Sequence, residues 1–82
     1  MQKEEVKTRL EQLIQPYLAA QGVELVEVEL NQPRKGRATL RLFVDREGGI
    51  TLEEITRVSK VVGELLDVHE LISSSYTLEV SS

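Results

Sequence analysis

Tyr76-Thr77-Leu78-Glu79-Val80-Ser81-Ser82 ends the chain, and its reading decides the fold. Tyr76, Leu78 and Val80 alternate with Thr77 and Glu79, the period of two expected of a strand with one buried face. A lone strand cannot bury that face, so the upstream sequence must supply both its neighbours and its cover. No turn, cap or tail follows Ser82, and the expectation is a chain cut at a domain boundary.

Working back, Asp67 to Ser75 is a polar connector that includes Ser73-Ser74-Ser75. Before it, Ile55, Val58, Val62, Leu65 and Leu66 recur at helical spacing and predict a helix from about Leu52 to Leu66. Thr51-Leu52-Glu53-Glu54 supplies its start as a capping box, in which Thr51 binds a backbone amide three residues on and Glu54 reaches back. Gly63 costs that helix about 1 kcal/mol relative to alanine and predicts a close approach to the first helix or the sheet. Arg46-Glu47-Gly48-Gly49 reads as a turn.

Two further runs alternate like strands. Ala38 to Asp45 sets Leu40, Leu42 and Val44 on one face and Thr39, Arg41, Phe43 and Asp45 on the other. Val23 to Leu30 sets Val26, Val28 and Leu30 on one face and Leu25, Glu27 and Glu29 on the other. Asn31 to Arg37, with its Asn, Pro and Gly, joins them as a hairpin. Pairing that keeps the apolar rows together requires residue numbers with an even sum. A sum of 68 is favoured because it sets Glu27 opposite Arg41 and Leu25 opposite Phe43; a sum of 70 is second.

At the front, Val6, Leu10, Leu13, Ile14, Tyr17 and Leu18 mark an amphipathic helix from about Lys3 to Gln21. Pro16 removes a backbone donor and predicts either a kink between Gln12 and Pro16 or a helix that ends and restarts. Gly22 suits the left-handed residue that closes a helix. The order is helix, strand, strand, helix, strand. The fold class is α+β: a two-layer sandwich, with a three-stranded mixed sheet and both helices on one face. The second strand is placed in the centre, a central first strand being the alternative.

With 82 residues the chain is one small domain, and its 40 % hydrophobic and 29 % charged content is that of a globular protein. There is no cysteine, which removes disulfides and thiolate metal sites. The N-terminal Met1-Gln2-Lys3-Glu4-Glu5 is charged and no apolar run has the length of a membrane span, so neither signal peptide nor anchor is expected and the cytoplasm is the expected location. A net charge of −4 opposes indiscriminate nucleic-acid binding and suits a basic protein partner.

Catalytic chemistry finds little support. His69, the one histidine, lies in the polar connector with no second histidine or cysteine to share a metal. No serine sits in a nucleophile turn, and Glu53 with Glu54 serve a helix start, where negative charge meets the helix dipole. Gly48-Gly49 carries neither phosphate-loop pattern. The chain is read as a non-enzyme with no cofactor and no metal.

Binding chemistry is better represented. Five of the ten basic residues, Arg34, Lys35, Arg37, Arg41 and Arg46, fall within a stretch of 13. Guanidinium groups bind phosphates in a bidentate manner, which makes Arg34, Lys35, Arg37 and Arg41 candidates for RNA contact. The plain alternative is a solvated turn, with Arg41 paired across strands to Glu27 and Glu79. The sheet face away from the helices offers Phe43 as its only aromatic platform, too few for RNA-stacking sheets, and the Gly-x-x-Gly clamp of KH domains is missing. That face instead suits protein contact, with Leu25 and Phe43 as a small apolar spot. Asp45, Ser81 and Ser82 complete the candidate partner or interdomain surface.

Gly22-Val23-Glu24-Leu25-Val26, Leu40-Arg41-Leu42-Phe43-Val44-Asp45 with Gly49-Ile50, Val58-Ser59, Leu66-Asp67 and the closing YTLEVSS together resemble the ribosome maturation factor RimP. The resemblance covers essentially the whole chain and corresponds to that family's N-terminal domain. It implies a second, Sm-like domain, absent from this chain, reached through a Pro-Gly and an Arg-Pro-Leu segment after YTLEVSS. The connector departs from the family, with Val68-His69-Glu70-Leu71 where a more acidic stretch and a proline are common. The resemblance further implies a bacterial cytoplasmic factor that binds the free small (30S) ribosomal subunit. Such a factor assists late maturation without covalent chemistry, acting on rRNA and the very basic small-subunit protein numbered twelve. The alternative function is a generic protein-interaction or oligomerisation module with no RNA role.

Overall fold

The computed structural model describes residues 3–72 and 75–82; the expectations on Met1, Gln2, Ser73 and Ser74 lie outside the described residues. Five elements follow one another: α1 (Lys3–Ala20), β1 (Glu24–Asn31), β2 (Ala38–Asp45), α2 (Leu52–His69) and β3 (Tyr76–Ser81). The sheet order is β1-β2-β3, with β1 antiparallel and β3 parallel to the central β2. This is the expected α+β sandwich with a mixed sheet, and β2 rather than β1 is central.

The apolar periodicities produce the core directly. Leu10, Ile14 and Leu18 from α1, Leu40 and Leu42 from β2 and Val62 from α2 are wholly buried, in one cluster with Val28, Val44 and Leu66. Each such side chain contributes on the order of 1.5–3 kcal/mol by leaving water. No polar or charged residue is buried among those described, so the layer between helices and sheet is purely apolar. On the edge strand β3, Tyr76, Leu78 and Val80 are half-buried and pack against this cluster, while Thr77 and Glu79 are exposed.

Each helix end has a local cause. At the end of α1 the Val23 amide donates to the Leu18 carbonyl at 2.9 Å and the Gly22 amide to the Ala19 carbonyl at 3.0 Å. These two bonds form a Schellman motif, which requires the left-handed φ of 74° that Gly22 adopts. Val23 and Leu18, its flanking apolar pair, are both buried. At the start of α2 the capping box is present as expected: the Glu54 amide donates to Thr51 Oγ1 at 3.1 Å and the Thr51 amide to Glu54 Oε1 at 3.2 Å.

Four expectations need correction. First, α1 does not end and restart at Pro16: the helix continues through that residue, which faces solvent, where water can hydrate the unpaired carbonyl while Ile14 and Leu18 hold the helix to the core. Second, α2 continues one turn past Leu66 to His69, and its C-terminus is closed by Glu70 in the left-handed region, φ 49°, with the Glu70 amide bonded to the Leu66 carbonyl. His69 therefore sits in the last helical turn instead of a loop.

Third, the hairpin register is not the favoured sum of 68. Glu27↔Phe43, Val28↔Leu42, Glu29↔Arg41 and Leu30↔Leu40 pair with a sum of 70, the second choice. Fourth, a bulge lies between Leu25 and Glu27, beyond which Leu25↔Val44 and Glu24↔Asp45 sum to 69. One extra residue inverts the faces that follow it. Leu25 accordingly turns inward and packs against the core, whereas Val26 is 59 % exposed, the reverse of the expected assignment.

Candidate functional site

The register arranges the open face of the sheet in three cross-strand rows. Asn31, Thr39 and Thr77 form the row nearest the hairpin tip, Glu29, Arg41 and Glu79 the middle one, and Glu27, Phe43 and Ser81 the third. The β2 member of the rows changes from polar Thr39 through charged Arg41 to apolar Phe43 along the strand.

The basic residues separate by environment. Arg41 lies between two carboxylates, 3.5 Å from Glu29 and 3.6 Å from Glu79, all three roughly half exposed. The expected pairing with Glu27 is replaced by Glu29 because of the register, and Arg41 serves as a cross-strand tie with its charge neutralised. Arg37 donates from Nε to Thr77 Oγ1 at 2.8 Å, which fixes the tip loop to β3. Arg34 and Lys35 are exposed at the apex and have no ion pair or hydrogen bond among the described residues. Arg46 leaves the cluster altogether. It is half-buried at the opposite end of the hairpin, paired with Glu54 and donating to the Gln21 carbonyl.

At that opposite end, Phe43, Asp45 and Ser82 meet in an open concavity of about 530 Å³. Val26 and Ile50 line it as well. Neither figured in the expected surface. Leu25, which did, lines the α1 side of the sheet instead, and Ser81 flanks Phe43 on β3. The trace of Val26 in the sequence is Leu25-Val26, two successive apolar residues that break strict alternation and mark the bulge.

The two ends of the hairpin carry opposite charge. Its tip presents Arg34, Lys35 and Arg37, and its base presents Glu24, Glu27, Asp45 and Glu47, all exposed and none in an ion pair among the described residues. Two ionisable groups, Glu54 in the first turn of α2 and Tyr76 at the start of β3, have shifted values. The Glu54 carboxyl is held below its ordinary value chiefly by the Thr51 backbone amide, with the Thr51 hydroxyl, Arg46 and Arg57 adding and desolvation opposing. The Tyr76 hydroxyl is raised by burial and by its 3.2 Å hydrogen bond to Asp67. Among the described residues, no group of three or more His, Cys, Asp or Glu is placed to hold a metal, and no helix is long and apolar enough to cross a membrane.

What fold and surface define is an α+β sandwich domain with one helical face closed and one sheet face open for contact. Within that class the chain belongs to the family of the RimP N-terminal domain, whose model matches residues 13–82. The family is that of a ribosome maturation factor, and its partners are ribosomal. The match takes in β1, β2, α2 and β3 and the second half of α1, hence both ends of the hairpin.

Proposed function

We propose that the chain is the N-terminal domain of a bacterial cytoplasmic assembly factor that binds the immature small ribosomal subunit and assists its late maturation. The single observation that carries this reading is the family match over residues 13–82. The hairpin suits the task. A basic apex with Arg34 and Lys35 exposed can reach rRNA phosphates, and the acidic base, on a chain of net charge −4, can face a basic ribosomal protein such as the one numbered twelve. The action is non-covalent: the domain holds an immature arrangement and leaves when mature contacts form. An Sm-like second domain follows it in the parent protein.

Cosedimentation of the parent protein with free small subunits and with assembled ribosomes tests the reading. Preference for the free subunit is the expected result. Absence of any ribosome association would leave a protein-interaction module without an RNA role.

A further inference from the structure

We propose that the concavity at the base of the hairpin is a docking site for a basic protein segment carrying one apolar anchor residue. Its floor is apolar: Val26 is thrust outward by the bulge, and Phe43 and Ile50 lie half-buried beside it. Its rim is acidic, with Glu27 and Asp45 lining the concavity and Glu24 directly opposite Asp45 in the β1–β2 register.

Like charges facing each other across strands destabilise the free sheet. Here Glu24 and Asp45 do so with no cation paired to either among the described residues. Lys7 shares the adjacent groove with Glu27 but forms no ion pair with it, and Arg46 is committed to Glu54. A cationic partner relieves this repulsion, whereas RNA phosphate adds to it. An apolar side chain on the same partner covers Val26 and Phe43. The occupant is therefore a lysine- or arginine-rich segment with a leucine-like anchor, and neither RNA nor an anionic small molecule fits. The surface deepens the reading of a basic ribosomal partner and rests on it for the partner's source, not for its chemistry.

The probe is a fluorescent dodecapeptide of lysine, arginine and serine with one central leucine, titrated into the chain by anisotropy. Saturable binding is expected, weakened about tenfold when serine replaces the leucine or by Val26→Ser, the loss of one buried apolar contact. Because Val26 is exposed, Val26→Ser should unfold at the parent's temperature, which separates lost docking from lost fold. Glu27→Gln with Asp45→Asn should weaken binding and flatten its salt dependence. Equal binding of the leucine-free peptide, indifference to Val26→Ser, or absence of saturation overturns the site. A dimer in sedimentation that Val26→Ser abolishes overturns it in favour of self-association. If peptide binding holds while the parent ignores small subunits, the docking site stands and the ribosomal reading falls.

Discussion

Arg46 and Glu54 form an ion pair that ties the turn after β2 to the first turn of α2, and the same guanidinium donates to the Gln21 carbonyl at the end of α1. Three elements meet on one side chain, whose Nε is buried without a hydrogen-bond partner among the described residues. Arg46→Met should lower stability, and Arg46→Lys should recover only part of the loss, since one ammonium cannot span both acceptors as the planar fork does. Urea unfolding of the three proteins checks the order. Equal midpoints for Arg46→Met and the parent would remove the tie from the account.

The Glu54 carboxyl, lowered mainly by the Thr51 amide, adds stability that is present above its ordinary value near 4.5 and lost as pH falls through the lower folded value. Glu54→Gln should therefore be less stable than the parent at neutral pH, and the two should converge in acid. Thermal midpoints measured from neutral pH down to about pH 3, below the ordinary carboxylate range, read the difference. A gap independent of pH would assign the effect to packing.

Gly63 and Glu70 occupy positions whose backbone suits the opposite residue types. Gly63 lies inside α2, where an added Cβ would meet Leu78 Cδ2 at an ordinary 3.9 Å. The expected tight approach is thus not tight, and Gly63→Ala should stabilise the domain by about 0.5–1 kcal/mol. Glu70 caps the same helix at φ 49°, a left-handed conformation costing a non-glycine residue roughly 1 kcal/mol. Glu70→Gly should recover part of that. The sites are seven residues apart on one element, and the double variant measured in urea should show near-additive gains.

Val26 is the extra residue of the bulge, so deleting it joins Leu25↔Val44 directly to Glu27↔Phe43 without turning any remaining side chain over. Deletion of Val26 should leave a folded domain, while deletion of the buried Val28 should abolish cooperative unfolding, because the strand then absorbs the bulge and Glu27 takes the inward position opposite Leu42. Circular dichroism melts of both variants decide it. The Val26 deletion also strips an apolar wall from the concavity and should remove peptide binding from a folded protein.

Elements with one strong periodicity were legible in the sequence. β2 alternates without exception and its bounds are as expected, the Thr51-Glu54 pattern forecasts the capping box, and the β2-central order is the preferred of the two arrangements that the sequence left open. What was not legible depends on a single inserted residue or on tertiary context. Leu25-Val26 is compatible with either face inward until β2 sets the register, so the Glu29–Arg41–Glu79 tie and the exposed Val26 were both hidden. The last turn of α2 was hidden for another reason: Asp67, Val68 and His69 are all exposed and carry no apolar signal. The Arg46 tie joins residues 25 apart and has no local signature.

The environments of the basic residues separate them into ligand-ready and committed groups, and salt dependence reads the division. Arg34 and Lys35 have no partner among the described residues, Arg37 is hydrogen-bonded to Thr77, and Arg41 is neutralised by Glu29 and Glu79. If the apex contacts rRNA, each phosphate contact contributes a slope of about 0.7–0.9 in log affinity against log salt. Arg34→Glu with Lys35→Glu should weaken binding of the parent protein to small subunits and reduce that slope by roughly twice this amount. Arg41→Gln should leave the slope nearly unchanged and instead cost a little stability, since exposed pairs contribute about 0–1 kcal/mol. Centrifugation binding assays across a salt series give both quantities. An unchanged slope in the apex variant removes Arg34 and Lys35 from the RNA interface, and a reduced slope in Arg41→Gln would show that the cross-strand tie opens on binding.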